Sequence, residues 1–302
     1  MSNLYGAIEA GGTNFVCAVG TSPGDLIIEQ FDTTTPEETI SNALKYFKEH
    51  NSKNKLKAIG IGSFGPIDLD INSKTYGYIT STPKPTWSNT DFVGAIKNEF
   101  DVPIGFDTDV NAAALGEYCW GAAKDLSDFV YLTIGTGIGG GGMLNGKLMH
   151  GLVHPEMGHV FIPIDSKDGY KGKCPFHGNR CFEGLASGPA IQERWNKPAE
   201  DLDISHEAWD LEAHYISLAL TNYICTLSPK RIIIGGGVME QKHLFPLIHE
   251  KIGRILNNYI QSPEVLNNID NYIVPPGLGK RVGVLGALAL AIKELEYLKP
   301  RD

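Results

Sequence analysis

Residues 4–19, LYGAIEAGGTNFVCAV, set apolar and small side chains on both sides of a Gly-Gly pair. That pattern predicts a β-hairpin with a glycine tip. FVYLTIGTGIGGGGML, at 129–144, repeats it as strand, Gly-Thr-rich turn, strand. The recurrence suggests two similar halves that each open with a hairpin, although two unrelated glycine turns would give the same short likeness. Residues 36–50 predict a helix, with Pro36 in its first turn, Glu37 and Glu38 early, and Lys45 and Lys48 late. LKAIGIGSFGPID (56–68) predicts a short buried strand running into a Gly-Pro loop, followed by a polar loop containing TPKPTW at 82–87. NTDFVGAIKNEF (89–100) predicts a capped helix, VPIGFDTDV (102–110) a strand, and NAAALGEYCWGAA (111–123) a helix with Ala and Leu at helical spacing. Beyond the second hairpin, residues 206–228 predict a helix. KRIIIGGGVM (230–239) predicts a buried strand ending in three glycines before another helix, and residues 282–298 a closing helix. The alternation predicts an α/β protein. The boundary between the halves is expected near 117–128, where no Pro/Ser-rich linker or low-complexity tract marks it.

A chain of 302 residues suffices for one large core or two medium domains. Its net charge of −9 argues against a nucleic-acid binder, which usually shows a basic face. The N-terminus has no basic region followed by an apolar core and a cleavage site, and no apolar run reaches membrane-spanning length. The expectation is a cytoplasmic protein with neither a membrane nor a nucleic acid as partner. Five cysteines in a reducing compartment are not expected to form a disulfide framework. Cys17, Cys119 and Cys225 lie in apolar surroundings and are most simply small buried residues.

The glycine clusters carry the first chemical signal. GTGIGG (135–140) matches the dinucleotide pattern G-x-G-x-x-G, but that motif needs a helix directly after the turn, and here a second strand follows. The Walker pattern is absent as well. What remains is two Gly-Thr hairpin tips and a third cluster, Gly235–Gly237, at a strand-to-helix step. Such tips can aim backbone N–H groups at phosphate oxygens, and three together favour a nucleotide lying between two halves. Asp109, at the junction of a strand and a helix, is a candidate base for proton transfer, or a plain N-cap aspartate. CPFHGNRC (174–181) offers Cys174, His177 and Cys181 as C-x2-H-x3-C. Soft sulfur with imidazole suits zinc, and a closed zinc site needs a fourth ligand from elsewhere.

AIEAGGTNFVCAVG, IGSFGPID, TDVNAAALGE, TIGTGIGGG, HPEMGH, the CPFHGNRCFEGLASGP run and IIIGGGVM come in the order found in the ROK family of sugar kinases. The chain resembles most its bacterial fructokinase branch, over nearly its whole length. The resemblance implies a two-domain actin/hexokinase-like (ribonuclease H-like) fold with a cleft between domains. It implies a small domain over 1–117, a large domain with a zinc-binding loop over 118–286, and a C-terminal helix, 287–302, packing back on the small domain. It further implies ATP and Mg2+ as cofactors, a structural Zn2+, a sugar substrate and a homodimer.

Carried onto this chain, the resemblance makes Asp109 the base that accepts the proton of the sugar hydroxyl. Glu156, His159 and Glu183 become sugar ligands, with Gly65, Pro66, Thr82, Pro83 and Thr108 on the sugar's other side. Many family members have Asn at the Thr108 position, whereas fructokinase-like members resemble this chain there. The implied nucleotide and magnesium contacts come from Glu9, Gly11, Gly12, Thr13 and Asn14, from Thr133, Thr136, Gly137 and Pro189, and from Gly235, Gly236, Gly237, Val238 and Met239. Most relatives carry Asp where Glu9 stands, and many carry Lys where Asn14 stands. His159 is the implied fourth zinc ligand, with His154 as the fallback, and the family often has Cys in place of His177. Zinc would tie the HPEMGH loop to the segment bearing Glu183, so it would position sugar-binding loops and take no part in the chemistry. The expected reaction is ATP-dependent phosphorylation of D-fructose at its 6-hydroxyl. Alternatives are a kinase for mannose, glucose or an N-acetylhexosamine, or a non-catalytic sugar-binding protein. A sugar-responsive repressor is disfavoured, since the first hairpin begins too near Met1 to leave room for a helix-turn-helix.

Overall fold

The computed structural model describes residues 3–297, so the predicted helical position 298 and the rest of 287–302 beyond 297 lie outside the described residues. The chain divides into two compact units. The first comprises the chain up to Lys124, the short segment Leu148–His154, and the chain from Gly277 onward. The second comprises Asp125–Lys147 and Pro155–Pro276. The first unit therefore runs to Lys124, not to residue 117, and regains the chain at Gly277, ahead of the expected 287.

The first unit opens with the predicted hairpin, β1 (Leu4–Ala10) and β2 (Asn14–Gly20), paired antiparallel. β3 (Ile27–Asp32) extends it as an edge strand that the sequence pattern did not predict. Its side chains are almost all exposed, so it lacks the apolar alternation that marks a half-buried strand. α1 (Pro36–Asn51) follows, capped by Thr35. β4 (Leu56–Ser63) then pairs parallel with β1. The two-residue strands β5 (Tyr78–Ile79) and β6 (Thr90–Asp91) pair with each other. α2 (Phe92–Lys97) is shorter than the predicted 89–100, because Thr90 and Asp91 are used in that ladder and Asp91 caps the helix by accepting from the Gly94 N–H. β7 (Ile104–Thr108) pairs parallel with β4 and runs straight into α3 (Asp109–Trp120), which starts two residues before the predicted 111.

The second unit repeats the plan. β8 (Phe129–Ile134) and β9 (Ile138–Leu144) form the second predicted hairpin, and β10 (Lys147–Leu148) continues the sheet. After a long excursion come α4 (Phe182–Ala186), α5 (Gly188–Trp195) and α6 (Ala208–Leu227). β11 (Ile232–Gly235) lies parallel to β8. α7 (Leu244–Leu256), α8 (Pro263–Leu266) and α9 (Ile269–Tyr272) lead to β12 (Ile273–Val274), parallel to β11. The chain closes with α10 (Val282–Tyr297), in the first unit. The sheet orders are β3-β2-β1-β4-β7 and β10-β9-β8-β11-β12. Numbered within each five-stranded sheet, both read third, second, first, fourth, fifth. The suggestion of two similar halves is borne out by topology rather than by the short glycine likeness.

Strand periodicity decides what covers each face of the first sheet. Ile8, Ile59 and Ile61 point to one side, where Ile40, Ala43 and Phe47 of α1 and Phe92 and Ile96 of α2 close the core. Tyr5, Ala7 and Ala58 point to the other, against Val284, Leu285, Ala287, Leu288 and Ala291 of α10. The α10 backbone lies directly on this face. A Cβ at Gly60 would stand 1.8 Å from the Ala287 carbonyl oxygen, and one at Gly105 2.6 Å from that of Leu290. On β1, Glu9 belongs to this same α10-facing set, and that alternation fixes where its carboxylate goes.

Candidate active site and metal centre

In the first unit, Thr108 is the N-cap of α3, accepting from the Asn111 N–H at 3.1 Å, and Asp109 is the first helical residue. Asp109 is therefore not the cap. It is partly buried, and its Oδ1 accepts from the Val110 N–H at 2.9 Å, where the helix N-terminus favours a negative charge. Glu9 sits close by. Burial first and the Asp109 charge second raise its pKa to about 7, against a hydrogen bond from the Val284 backbone that lowers it. Room for the carboxylate at the start of α10 exists only because residue 283 is glycine, since a Cβ there would stand 2.1 Å from the Glu9 Cδ.

The first hairpin tip is pinned from outside. Thr33 donates its N–H to the Thr13 carbonyl at 2.8 Å and its hydroxyl to the Gly11 carbonyl at 2.7 Å. Gly11 in turn donates to the Asn14 carbonyl, and nothing crowds Gly12. Gly65–Pro66 is a cis peptide, and the Pro66 carbonyl accepts from both the N–H and the hydroxyl of Thr80. Thr82 accepts from Lys84 and Ser88, and Pro83 lies between Thr82 and Lys84 in this exposed loop. Lys84, which the sequence did not single out, reaches the Thr33 carbonyl with Nζ at 3.2 Å, beside the hairpin tip.

In the second unit the other glycine loops converge. The Gly135 N–H donates to the Gly137 carbonyl at 2.9 Å across the turn holding Thr136, and the Gly188 N–H donates to the Gly135 carbonyl at 2.8 Å. The Gly237 N–H lies 3.7 Å from where a Cβ on Gly135 would stand. Thr133, next to last in β8, pairs with Gly235, and Gly236 leads into the turn holding Val238 and Met239, whose side chains are buried. Pro189 lines a cavity of roughly 520 Å³ together with Lys173, Gln192, Glu193 and Asn196. The sequence pointed only to Pro189 here, since the other four carry no motif. Lys173 and Glu193 form an ion pair across this lining.

The four residues implied as metal ligands lie together. One donor atom each from His159, Cys174, His177 and Cys181 falls within 4.8 Å of all the others. Cys174 Sγ is 3.8 Å from His159 Nδ1 and 3.6 Å from His177 Nδ1, and Cys181 Sγ is 3.9 Å from His159 Nδ1. Tetrahedral zinc with ordinary Zn–S and Zn–N bonds sets sulfur and nitrogen about 3.6 Å apart. The two thiols and two imidazoles fit that ion with little movement. Burial, chiefly, pushes the Cys181 thiol up to about 12, so its thiolate form calls for a cation beside it. His154, the fallback ligand, is not in the group, because its Nε2 accepts from the Ile67 N–H instead.

His159 turns its other nitrogen outward, with Nε2 4.0 Å from Glu183 Oε1. Glu183 Oε2 accepts from the Ile138 N–H at 2.9 Å, which fixes this acid beside the second hairpin tip. Glu156, exposed, accepts from the His159 N–H through its backbone carbonyl at 3.0 Å. The metal group and the acids are thus one construction: the ring that would bind metal through Nδ1 faces Glu183 through Nε2.

A model of the ROK family matches residues 5–294. A fructokinase of Streptococcus mutans is 46% identical over 298 residues, covering 97% of this chain and 99% of the relative. A fructokinase of Lactococcus lactis subsp. cremoris is 48% identical over 278 residues, covering 91% and 92%. The solved structure of a ROK family glucokinase from Streptomyces griseus, in complex with glucose and AMPPNP, superposes with a TM-score of 0.76 at 22% identity, covering 96% of this chain and 100% of the other. That likeness establishes the actin/hexokinase-like fold. By sequence, the chain belongs to the ROK family of sugar kinases.

Proposed function

We propose that this protein is an ATP-dependent fructokinase that phosphorylates D-fructose at its 6-hydroxyl. The observation that carries the substrate is the near-full-length identity with fructokinases. Asp109 accepts the hydroxyl proton as the bond to phosphorus forms. Its place at the α3 N-terminus favours negative charge there, as that task requires. Glu156, Glu183 and His159 Nε2 orient the sugar through its other hydroxyls, and Gly65, Pro66, Thr82, Pro83 and Thr108 supply contacts from the first unit. The backbone N–H groups of Gly11–Asn14 and Thr136–Gly137 cradle phosphate oxygens. Thr133, Pro189 and Gly235–Met239 hold the rest of the nucleotide.

Two cations fit the residues. The crowding of Glu9 by the Asp109 charge suits Mg2+, which would neutralise phosphate charge when bound. His159, Cys174, His177 and Cys181 would hold Zn2+, whose contribution is to fix loop geometry. The reading extends to a cytoplasmic homodimer, whose mass light scattering would check. A coupled ADP-release assay with ATP and Mg2+, run across fructose, mannose, glucose and N-acetylglucosamine, tests the reading. Turnover led by fructose supports it. Turnover led by another hexose moves the substrate, and none with any sugar rejects the kinase.

A further inference from the structure

Seven residues, Leu148–His154, belong to the first unit although the chain before and after them belongs to the second. Two anchors hold them. At the first, Asp107 is buried on β7, immediately before Thr108 and Asp109. Its Oδ2 accepts from His150 Nε2 at 2.8 Å, and its Oδ1 accepts from the Asn111 side-chain amide at 2.9 Å and from the Thr108 N–H at 2.8 Å. Asn111 is fully buried and donates from the same amide nitrogen to the Met149 carbonyl at 3.1 Å. At the second anchor, the buried His154 ring accepts at Nε2 from the Ile67 N–H at 3.1 Å, which places its own proton on Nδ1. A Cβ on Gly65 would lie 3.1 Å from this ring.

These bonds serve neither the metal group nor proton transfer, yet they land on two chosen places. One is the strand end that carries Thr108 and Asp109, and the other is the Gly65–Ile67 turn. The segment then continues without a break into Pro155, Glu156 and His159. We infer that His150 and His154 are positioning residues for sugar binding, forming a two-point clamp that holds the Gly65–Pro66 turn and the Thr108–Asp109 corner of the first unit at a fixed spacing. The inference rests on the sugar-site assignment proposed above. It adds a role for His150, which lies outside the motifs quoted above, and a different role for His154, the first residue of HPEMGH.

The clamp has a pH sign. His150 titrates above its ordinary value, chiefly through the hydrogen bond to Asp107, against burial and the Lys293 charge on α10. Tyr76 also feels the Asp107 charge, together with that of Glu294 on α10. The charge-assisted part of the bond is complete below about pH 6.5 and is lost as pH rises through the raised value.

The test compares the wild type with His150→Phe, which keeps a ring without a donor, and His150→Gln, whose amide can replace Nε2. Steady-state constants are measured from pH 6 to 9, and hydrogen exchange at the Ile67 amide is followed in sugar-free protein. His150→Phe is expected to raise the KM for fructose about tenfold or more, with the KM for ATP within about twofold. The wild type is expected to show an alkaline rise of fructose KM, and His150→Gln to recover most of the loss and to flatten that rise. In both His150→Phe and His154→Leu, the Ile67 amide is expected to exchange faster. An unchanged fructose KM in His150→Phe, or an equal rise in both KM values, overturns the positioning role. Unchanged Ile67 exchange in both variants overturns the clamp itself. A wild type that turns over a different hexose displaces only the fructose assignment, because the exchange readout needs no sugar and the KM comparison is then made with that hexose.

Discussion

The two sheets share strand order and the sense of every pairing that joins the opening hairpin to the two strands after it, but they end differently. In the first unit the fifth strand, β7, runs straight into α3, so Thr108 and Asp109 stand where a buried strand becomes a buried helix. In the second unit the fifth strand, β12, has two residues and leads to Pro275 and Pro276, with no helix to present an acid. Its acids, Glu156 and Glu183, come instead from the excursion between β10 and α5 that also carries His159, Cys174, His177 and Cys181. One scaffold thus obtains rigidity in two ways. The first corner is held by packing, with the α10 backbone seated on glycines. The second is held by side chains that suit a metal, because a loop of this length has few apolar contacts of its own.

The largest effect should come from removing the acid that only the first unit supplies. Asp109→Asn is expected to lower kcat by about 10²–10⁴-fold with a far smaller change in sugar KM, measured by the coupled assay. A variant turning over at the wild-type rate would remove Asp109 from the chemistry and erase the functional contrast between the two strand ends. Next in size is the metal group. Cys181→Ser, or chelation of the wild type, is expected to strip zinc and weaken sugar binding by about 10–100-fold while leaving nucleotide binding close to unchanged. Calorimetric titration with each ligand checks this, and full sugar affinity in metal-free protein would show that the second corner needs no metal.

The sequence disclosed these corners unequally, for physical reasons. Both hairpins, the α3 start and the Cys-His run were legible because each is local: a strand-turn-strand pattern, a strand-helix junction and a short spacing. His159 as fourth ligand lies fifteen residues before Cys174, and only the family likeness pointed to it. Of Leu148–His154, only His154 was singled out, as a fallback metal ligand, and its bond to the Ile67 N–H was illegible. His150 meets Asp107 across 43 positions, and a segment this short shows no periodicity. β3 escaped notice because its side chains are solvated on both faces. The boundary of α2 was misplaced because Asp91 serves both as a ladder residue and as a cap.

The contrast in rigidity sharpens with a substitution far from any ligand. Gly60→Ala would drive a methyl into the Ala287 carbonyl, which backbone against backbone cannot avoid without shifting α10. The expected cost is about 3 kcal/mol of stability, read by denaturant unfolding. Zinc content should stay at the wild-type level. Loss of zinc together with stability would mean that the two corners do not owe their rigidity to separate sources.

The smallest effect tests the electrostatics of the first corner. Glu9 is raised from an ordinary 4.5 to about 7 by burial and by Asp109. The folded state therefore binds this proton more tightly than the unfolded chain does, and the sign follows from linkage. The stability tied to protonated Glu9 is complete below about pH 4.5 and is lost as pH rises through about 7. Because the side chain is only partly buried by surface area, the loss is discounted to about 1–2 kcal/mol. In magnesium-free protein, Glu9→Gln should remove this decline, so that the variant gains on the wild type between pH 5 and 8 in parallel melting curves. Adding Mg2+ with nucleotide should narrow the difference, since a cation near the carboxylates favours their charged forms. Parallel pH profiles for wild type and variant would mean that Glu9 and Asp109 do not share a field. The first corner would then rest on helix packing alone, as its glycines already suggest for the rest of that face.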